Sequence, residues 1–167
     1  MKRRIVLIRH AKSSWANPMQ SDYDRPLNER GLHDAPMMGE RLKQAQVIPD
    51  LIVSSTAKRA AQTARRIAAA VGYPAEKIQW QEKMYHCQPP VFEEIIFGLD
   101  DALQTVFMIA HNPGITDFAN EMAPDVLPQH MPTCATFGVE MDTDHWSQYH
   151  SAKRQAFLFD YPKKHHG

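Results

Sequence analysis

The sequence is poor in cysteine, balanced in charge and without a long apolar run. Only Cys87 and Cys134 occur, and their spacing argues against a disulfide scaffold or a zinc ribbon. Lysine plus arginine equals aspartate plus glutamate at 19 each, so the overall charge indicates neither a nucleic acid nor an anionic membrane as partner. No apolar stretch reaches the roughly 18 residues of a membrane span, and no secretory signal is evident. We therefore expect a cytoplasmic protein with no membrane segment.

The order of apolar runs predicts an α/β fold. With 167 residues the chain fits one domain, which we place at 1–167. We expect a central, mostly parallel sheet with helices on both faces. The predicted strands are 5–8, 49–56, 78–80, 106–110, 135–141 and 155–161, and the predicted helices include 57–71, 91–99 and 115–122. A further helix begins at Asn28 or Asp34, and Pro36 favours the later start or a kink because an internal proline costs about 3 kcal/mol.

Polar side chains follow three of the predicted strands at the point where each strand ends. Arg9 and His10 follow the first strand, Ser54 and Ser55 end the second, and His111 follows residues 106–110. In open α/β sheets, ligands bind in the crevice beyond the carboxyl ends of the parallel strands. We therefore expect these side chains to meet at one edge of the sheet.

Arg59 lies in the first turn of the alanine-rich helix 57–71, which Gly72 ends. A cation at this position opposes the helix dipole unless an anion binds beside it, which favours a functional role. Together with Arg9, His10 and His111 it forms a site rich in hydrogen-bond donors, and the sequence shows no carboxylate partner beside it. Such a site is suited to a doubly negative phosphoryl group.

Three blocks of the sequence resemble the signature blocks of the histidine phosphatase superfamily, in the same order. They are Arg9 with His10, residues 54–64 (SSTAKRAAQTA) and residues 110–114 (AHNPG). Residues 9–15 (RHAKSSW), 24–31 (DRPLNERG) and 131–133 (MPT) further resemble the SixA-type branch of phosphohistidine phosphatases. The resemblance spans nearly the whole chain, and it implies a phosphoglycerate mutase-like fold, a three-layer α/β/α sandwich.

The resemblance also implies roles for the residues at the strand ends. His10 is the expected nucleophile, which becomes phosphorylated, while Arg9, Arg59 and His111 are expected to hold the phosphoryl oxygens. The family's usual glycine after the histidine is replaced by Ala11, which is compatible with an ordinary backbone conformation.

Arg25 and Asn17 are candidates for additional phosphate contacts. Arg25 matches an arginine of the SixA-type pocket. Asn17 resembles a phosphate-pocket asparagine of the mutase branch, but many loops share its spacing, so a purely local role is an equal alternative.

Glu82 is a candidate proton donor, and its role bears on which kind of leaving group the protein can release. Residues 82–85 (EKMY) resemble the segment that carries the proton-donating glutamate of the mutases and many phosphatases, although SixA-type members commonly lack this acid. An alkoxide leaving group needs a proton, whereas the imidazole of a phosphohistidine is a better leaving group. The alternative for Glu82 is a solvated surface residue.

A metal site is the main alternative use of the histidines. His10, His86, His111 and Cys87 supply ligand types, but their spacing is unsuited to a metal and the two arginines would repel the ion. We therefore expect neither a metal nor another cofactor.

The sequence thus predicts a metal-independent phosphatase that hydrolyses phosphohistidine on a protein through a phosphohistidine at His10. The first alternative is a small-molecule phosphomonoesterase that uses Glu82 as general acid. The second is a phosphate-recognition module without activity, and a mutase ranks below both because the chain lacks long insertions over the site. The expected partner is a phosphorylated protein or a small phosphate ester, not a nucleic acid, and the oligomeric state stays open.

Overall fold

The structure is a computed structural model that describes residues 1–124, 126 and 130–165. Its strands are β1 (Lys2–Arg9), β2 (Leu51–Ser54), β3 (Gln79–Trp80), β4 (Thr105–Ala110), β5 (Thr136–Asp142) and β6 (Lys153–Asp160). Its α-helices are α1 (Glu29–Gln44), α2 (Lys58–Val71), α3 (Pro89–Phe97) and α4 (Gly114–Met122). Every predicted strand and helix is confirmed, with boundaries that differ by a few residues. Of the helices in the described ranges, none has the length and apolar character needed to cross a membrane.

The strands form one sheet in the order β3-β2-β4-β1-β5-β6. Parallel pairing joins β3 to β2, β2 to β4 and β4 to β1. β5 runs antiparallel to β1, and β6 runs antiparallel to β5. The predicted α/β fold with a mostly parallel sheet is therefore confirmed, and the antiparallel strands lie at one side of it.

Strand β1 lies inside the sheet and contributes to the core on both faces. Ile5 and Leu7 pack into a cluster with side chains of α3 and α4. Val6 and Ile8 point to the opposite face and pack with side chains of α1 and α2. All four are fully buried, as expected for a parallel strand covered by helices on both sides. The helices thus form two outer layers around the sheet.

Helix α1 begins at the earlier of the two predicted positions. The Asn28 side chain accepts a hydrogen bond from the Gly31 amide at 2.9 Å, which caps the helix. Pro36 lies inside the helix, so the prediction of a start near Asp34 was wrong. Burial of Met38 and Leu42 contributes about 1.5–3 kcal/mol each, enough to offset the ~3 kcal/mol that the internal proline costs.

Helix α2 packs closely against α1 and carries Arg59 in its first turn. It ends at Gly72, whose left-handed conformation (φ of 80°) favours glycine. Its buried residues include the apolar side chains of Ala60, Ala64, Ile67, Ala68 and Val71. Close approach depends on Gly39 of α1, because a β-carbon there would lie 2.6 Å from the β-carbon of Ala70. The contact between the two helices therefore leaves no room for a β-carbon at position 39.

The Gly39→Ala variant is expected to unfold at lower urea concentration than the parent protein. Overpacking costs about 1–3 kcal/mol, which exceeds the gain of up to ~1 kcal/mol from replacing glycine inside a helix. Gly98→Ala is the matched control, since a β-carbon at Gly98 would meet no atom closer than 3.8 Å. Equal free energies of unfolding for the two variants would show that the α1–α2 contact tolerates a methyl group.

Candidate active site

The carboxyl ends of β1, β2 and β4 meet at one edge of the sheet, as predicted. Arg9 pairs with Ala110 in the register of β1 and β4. Beyond the strands, the His10 amide donates to the Ala110 carbonyl at 3.1 Å, and the Ser55 amide donates to the Ile109 carbonyl at 3.0 Å. His10 and His111 consequently leave the sheet side by side, with their ring centroids 5.2 Å apart.

His10 is a buried imidazole with one defined tautomer. Its Nδ1 lies 2.7 Å from the carbonyl oxygen of Ala11. Because a carbonyl oxygen only accepts, Nδ1 carries the hydrogen and Nε2 carries the lone pair of the neutral ring, which accepts a hydrogen bond from Arg59 Nε. Burial lowers the pKa of His10 to about 3, against the Ala11 hydrogen bond and with the charges of Arg59, Arg9 and Arg25. At neutral pH, Nε2 is therefore available as a nucleophile.

Arg59 and Arg9 place two guanidinium groups near this nitrogen. Arg59 is almost completely buried, and its Nε lies 3.4 Å from His10 Nε2. Arg9 donates through Nη1 to the Met131 carbonyl at 3.0 Å. Burial lowers the pKa of Arg9, and the charge of Arg59 acts in the same direction. Two cations held close together inside the protein favour the binding of an anion between them.

His111 is the second buried imidazole of the site. Its Nε2 lies 2.8 Å from the hydroxyl oxygen of Ser55, so the ends of β4 and β2 are also joined through side chains. Burial, together with the charges of His10 and Arg59, lowers the pKa of His111 to about 2. His111 is therefore a neutral hydrogen-bonding group at physiological pH.

Arg25 reaches the same site from the loop that precedes α1. Its guanidinium donates to the Ser13 hydroxyl and pairs with Asp22 at 3.1 Å. It also lies over the ring of Trp15, with 3.8 Å between the guanidinium carbon and the ring centroid. Stacking and hydrogen bonds on three sides hold Arg25 in one orientation.

These side chains line a cleft of about 320 Å³ that opens to solvent. Five of the seven predicted site residues line it: Arg9, His10, Arg25, Arg59 and His111. The other lining residues are Lys12, Ser13, Trp15, Asp22, His86, Asn112 and Thr133. The structure thus brings together the residues from all three sequence blocks.

Asp22 lines the cleft although the sequence analysis did not identify it, and the expected absence of a carboxylate near the arginines was wrong. Its side chain pairs with Arg59 at 3.1 Å and with Arg25 at 3.1 Å. Partial burial acts to raise its pKa, but hydrogen bonds from Tyr85, Arg25 and Arg59 hold the pKa well below its ordinary value. Asp22 is therefore an anion that offsets two of the cations of the cleft.

Tyr85 and His86 bind the same carboxylate oxygen from the segment before α3. The Tyr85 hydroxyl donates to Asp22 Oδ2 at 2.6 Å, and His86 Nε2 lies 3.0 Å from it. The two residues follow directly on residues 82–84, where the sequence indicated a candidate acid. Only their three-dimensional contact with Asp22 distinguishes them from surface residues, so no sequence signal identified them.

Glu82 and Asn17 lie outside the cleft. Glu82 is exposed in a short 3₁₀ turn, Glu82–Met84, and does not line the cleft. The Asn17 side chain accepts a hydrogen bond from the Met19 amide at 3.0 Å in an exposed loop. The structure thus gives Asn17 the local turn contact that was its alternative, and it places Glu82 on the surface.

Several polar atoms of the cleft residues are buried without a hydrogen-bond partner in the described part of the protein. They are Arg9 Nε, Arg25 Nε and His111 Nδ1. In the same part, no three side chains of the His, Cys, Asp and Glu types are grouped so that they could hold a metal ion. The arrangement favours an anion as ligand, because most of its polar groups donate hydrogen bonds.

The chain is similar to one known protein family and to proteins from a bacterium and a plant. The model of the histidine phosphatase superfamily (branch 1) matches residues 5–85. The uncharacterized protein Rv1276c of Mycobacterium tuberculosis is 31% identical over 116 residues, which are 70% of this chain and 70% of that protein. The uncharacterized chloroplastic protein At3g52155 of Arabidopsis thaliana is 39% identical over 71 residues. These are 42% of this chain and 33% of the plant protein, so the chain matches about a third of that relative's length.

Solved structures with the same fold include two SixA proteins. The Agrobacterium tumefaciens protein assigned as phosphohistidine phosphatase SixA is 28% identical, with a TM-score of 0.79, and the match covers 96% of this chain and 99% of that one. A protein histidine phosphatase SixA complexed with tungstate is 19% identical, with a TM-score of 0.80 and coverage of 95% and 96%. The second likeness concerns the fold alone.

The two buried histidines predict a fall in stability toward acid pH. Both stay neutral in the folded protein, whereas the unfolded chain binds protons below the ordinary pKa of 6.5. Unfolding then takes up protons, so the free energy of unfolding falls as the pH drops below 6.5, by at most about 1.4 kcal/mol per pH unit for each histidine.

Urea titrations between about pH 4.5 and 6.5 test this effect above the range in which most carboxylates titrate. His111→Gln is expected to show a shallower fall than the parent protein, because one of the two histidines is gone. The exposed His33 on α1 supplies the control variant His33→Gln, whose slope is expected to stay unchanged. An unchanged slope in His111→Gln would contradict a buried, neutral His111.

Proposed function

Since the chain belongs to the histidine phosphatase superfamily and is a phosphatase, we propose that it hydrolyses phosphohistidine on a protein and that the phosphoryl group passes through His10. The reaction needs no metal in this proposal. It consists of two transfers, from the substrate to His10 Nε2 and from His10 to water.

The geometry of His10 carries this proposal. The Ala11 carbonyl holds the hydrogen on Nδ1, so that Nε2 presents its lone pair beside Arg59. Burial keeps the ring neutral, with a pKa of about 3. Nucleophilic catalysis by histidine requires an unprotonated nitrogen in a fixed orientation, and both conditions are met before any substrate binds.

The cations of the cleft supply the electrostatic part of the reaction. Arg9, Arg25 and Arg59 come from three separate segments and surround the position in front of His10. Phosphoryl transfer depends mainly on positioning and on stabilising negative charge on the three equatorial oxygens. The buried donors Arg9 Nε and Arg25 Nε would gain partners when a phosphoryl group enters, and so would His111 Nδ1 in the tautomer that carries its hydrogen there.

A protein substrate is supported by the relatives and by the position of Glu82. The Agrobacterium neighbour is assigned as a phosphohistidine phosphatase, and it matches this chain over nearly its full length. Glu82 is exposed and outside the cleft, so the acid expected for a small-molecule phosphomonoesterase does not face the substrate. The imidazole of phosphohistidine depends less on such an acid than an alkoxide does.

The His10→Ala variant is expected to lose turnover by roughly a thousandfold or more, because removal of a nucleophile abolishes the covalent route. Hydrolysis of p-nitrophenyl phosphate in the presence of a chelator provides the assay. The parent protein is expected to form an acid-labile, base-stable phosphoenzyme that His10→Ala lacks. Circular dichroism shows whether the variant keeps its fold. Full activity of a folded His10→Ala protein would overturn the proposed route.

The Glu82→Gln variant is expected to keep its kcat/KM for both phosphohistidine protein and alkyl phosphates within about twofold, as is usual for a surface substitution away from the site. The parent protein is expected to prefer phosphohistidine protein over small esters when the two compete. A large loss in Glu82→Gln that is confined to alkyl phosphates would favour the small-molecule phosphomonoesterase.

A further inference from the structure

His86, Asp22 and Tyr85 form a hydrogen-bonded group at the opening of the cleft. Asp22 Oδ2 accepts from the Tyr85 hydroxyl at 2.6 Å and lies 3.0 Å from His86 Nε2. The same oxygen pairs with Arg59 at 3.1 Å. The ring of Tyr85 packs on the ring of His86, with 4.1 Å between the centroids. These contacts hold a third histidine in the cleft, beside His10 and His111.

The backbone conformation of His86 is unfavourable for a residue with a side chain, which supports a functional role for this residue. Its φ is 52°, in the left-handed region that favours glycine and costs other residues about 1–2 kcal/mol. Non-glycine residues persist in such conformations chiefly where the surrounding structure requires them, often at active sites. Gly114 contributes here, because a β-carbon on it would lie 2.0 Å from the Cys87 carbonyl oxygen. The segment that carries His86 therefore packs closely against the start of α4.

The position of His86 matches the side from which a leaving group departs. In-line transfer requires the leaving atom to lie opposite the attacking nitrogen. His10 is buried at the floor of the cleft, so the leaving atom faces the solvent side. The His86 side chain is 53% exposed and lines the cleft on that side, with its ring centroid 5.7 Å from that of His111.

From this geometry we propose that His86 is the general acid and base of the phosphatase, positioned by Asp22. This acid serves leaving groups that need a proton, whereas the imidazole of a phosphohistidine depends on it less. The inference rests on the proposed function, because it assigns the proton donor of the same reaction. Asp22 is a positioning residue in this scheme, since it holds both His86 and Arg59 without contact to the leaving atom.

The proton and the electron pairs can be followed through both transfers. His10 Nε2 attacks phosphorus, the bond from phosphorus to the leaving oxygen or nitrogen breaks, and the leaving atom takes its electron pair and a proton from the His86 imidazolium. Water then attacks the phosphoryl group on His10 and gives a proton to neutral His86. The bond from phosphorus to His10 Nε2 breaks, which releases inorganic phosphate and restores both histidines.

The test compares leaving groups that differ in their need for a proton. His86→Gln is expected to lower kcat/KM for a simple alkyl phosphate by about 100-fold, the lower range for general acid catalysis. The same variant is expected to keep most of its kcat/KM for p-nitrophenyl phosphate, whose phenolate leaves without a proton. His33→Gln is the control, because His33 is exposed on α1 and does not line the cleft.

A second variant separates chemistry from folding. His86→Gly relieves the left-handed backbone, so its free energy of unfolding is expected to equal or exceed that of the parent protein. Its alkyl phosphatase activity is expected to fall in the same way as that of His86→Gln. Added imidazole is expected to restore part of this activity, whereas it does not help the control.

An equal loss for alkyl and p-nitrophenyl phosphate, without rescue by imidazole, would overturn the role of His86 while the phosphohistidine at His10 stands. If His10→Ala retains turnover, the proposed function itself fails, whatever the His86 variants show.

Discussion

The hydrogen bond from His10 Nδ1 to the Ala11 carbonyl is the interaction on which the chemistry of the site depends. It determines which ring nitrogen faces the cleft, and it holds because the backbone after β1 is itself anchored. The His10 amide donates to Ala110 of β4, and the His10 carbonyl accepts from Cys134 before β5. The orientation of one imidazole is therefore set by the central strands of the sheet, whose side chains are buried under helices on both faces.

Charge balance is the second constraint on this site. Three arginines around two buried imidazoles would repel one another in a medium of low polarity. The histidines avoid part of this cost by remaining neutral, as their lowered pKa values show. Asp22 offsets part of the remainder by pairing with Arg25 and Arg59. A phosphoryl dianion would meet the same cations, so the site is arranged for a negative ligand before one arrives.

The fold and the central part of the candidate site could be predicted from the sequence because their signals are local. Each apolar run ends in a short polar block, and parallel pairing brings such ends to one edge whatever the loops do. Arg9, His10, Arg59 and His111 follow such strand ends in the sequence, so their meeting at one edge could be predicted. The same signals did not locate His86, whose role depends on a contact with Asp22 across 64 residues of sequence. Glu82 illustrates the opposite case, since it lies in a suggestive segment but is exposed to solvent.

The sequence by itself determined the α/β architecture, the order of the elements and the residues at the strand ends, because hydrophobic periodicity and chain direction encode them. Helix α1 is an exception to these local signals. Burial of Met38 and Leu42 outweighs the tendency of Pro36 to interrupt a helix. Only the tertiary structure decided which side chains of the loops 14–28 and 81–88 reach the cleft. Loop conformation follows from contacts between distant segments, such as Gly114 against Cys87 and Arg25 against Ser13, which no local pattern records.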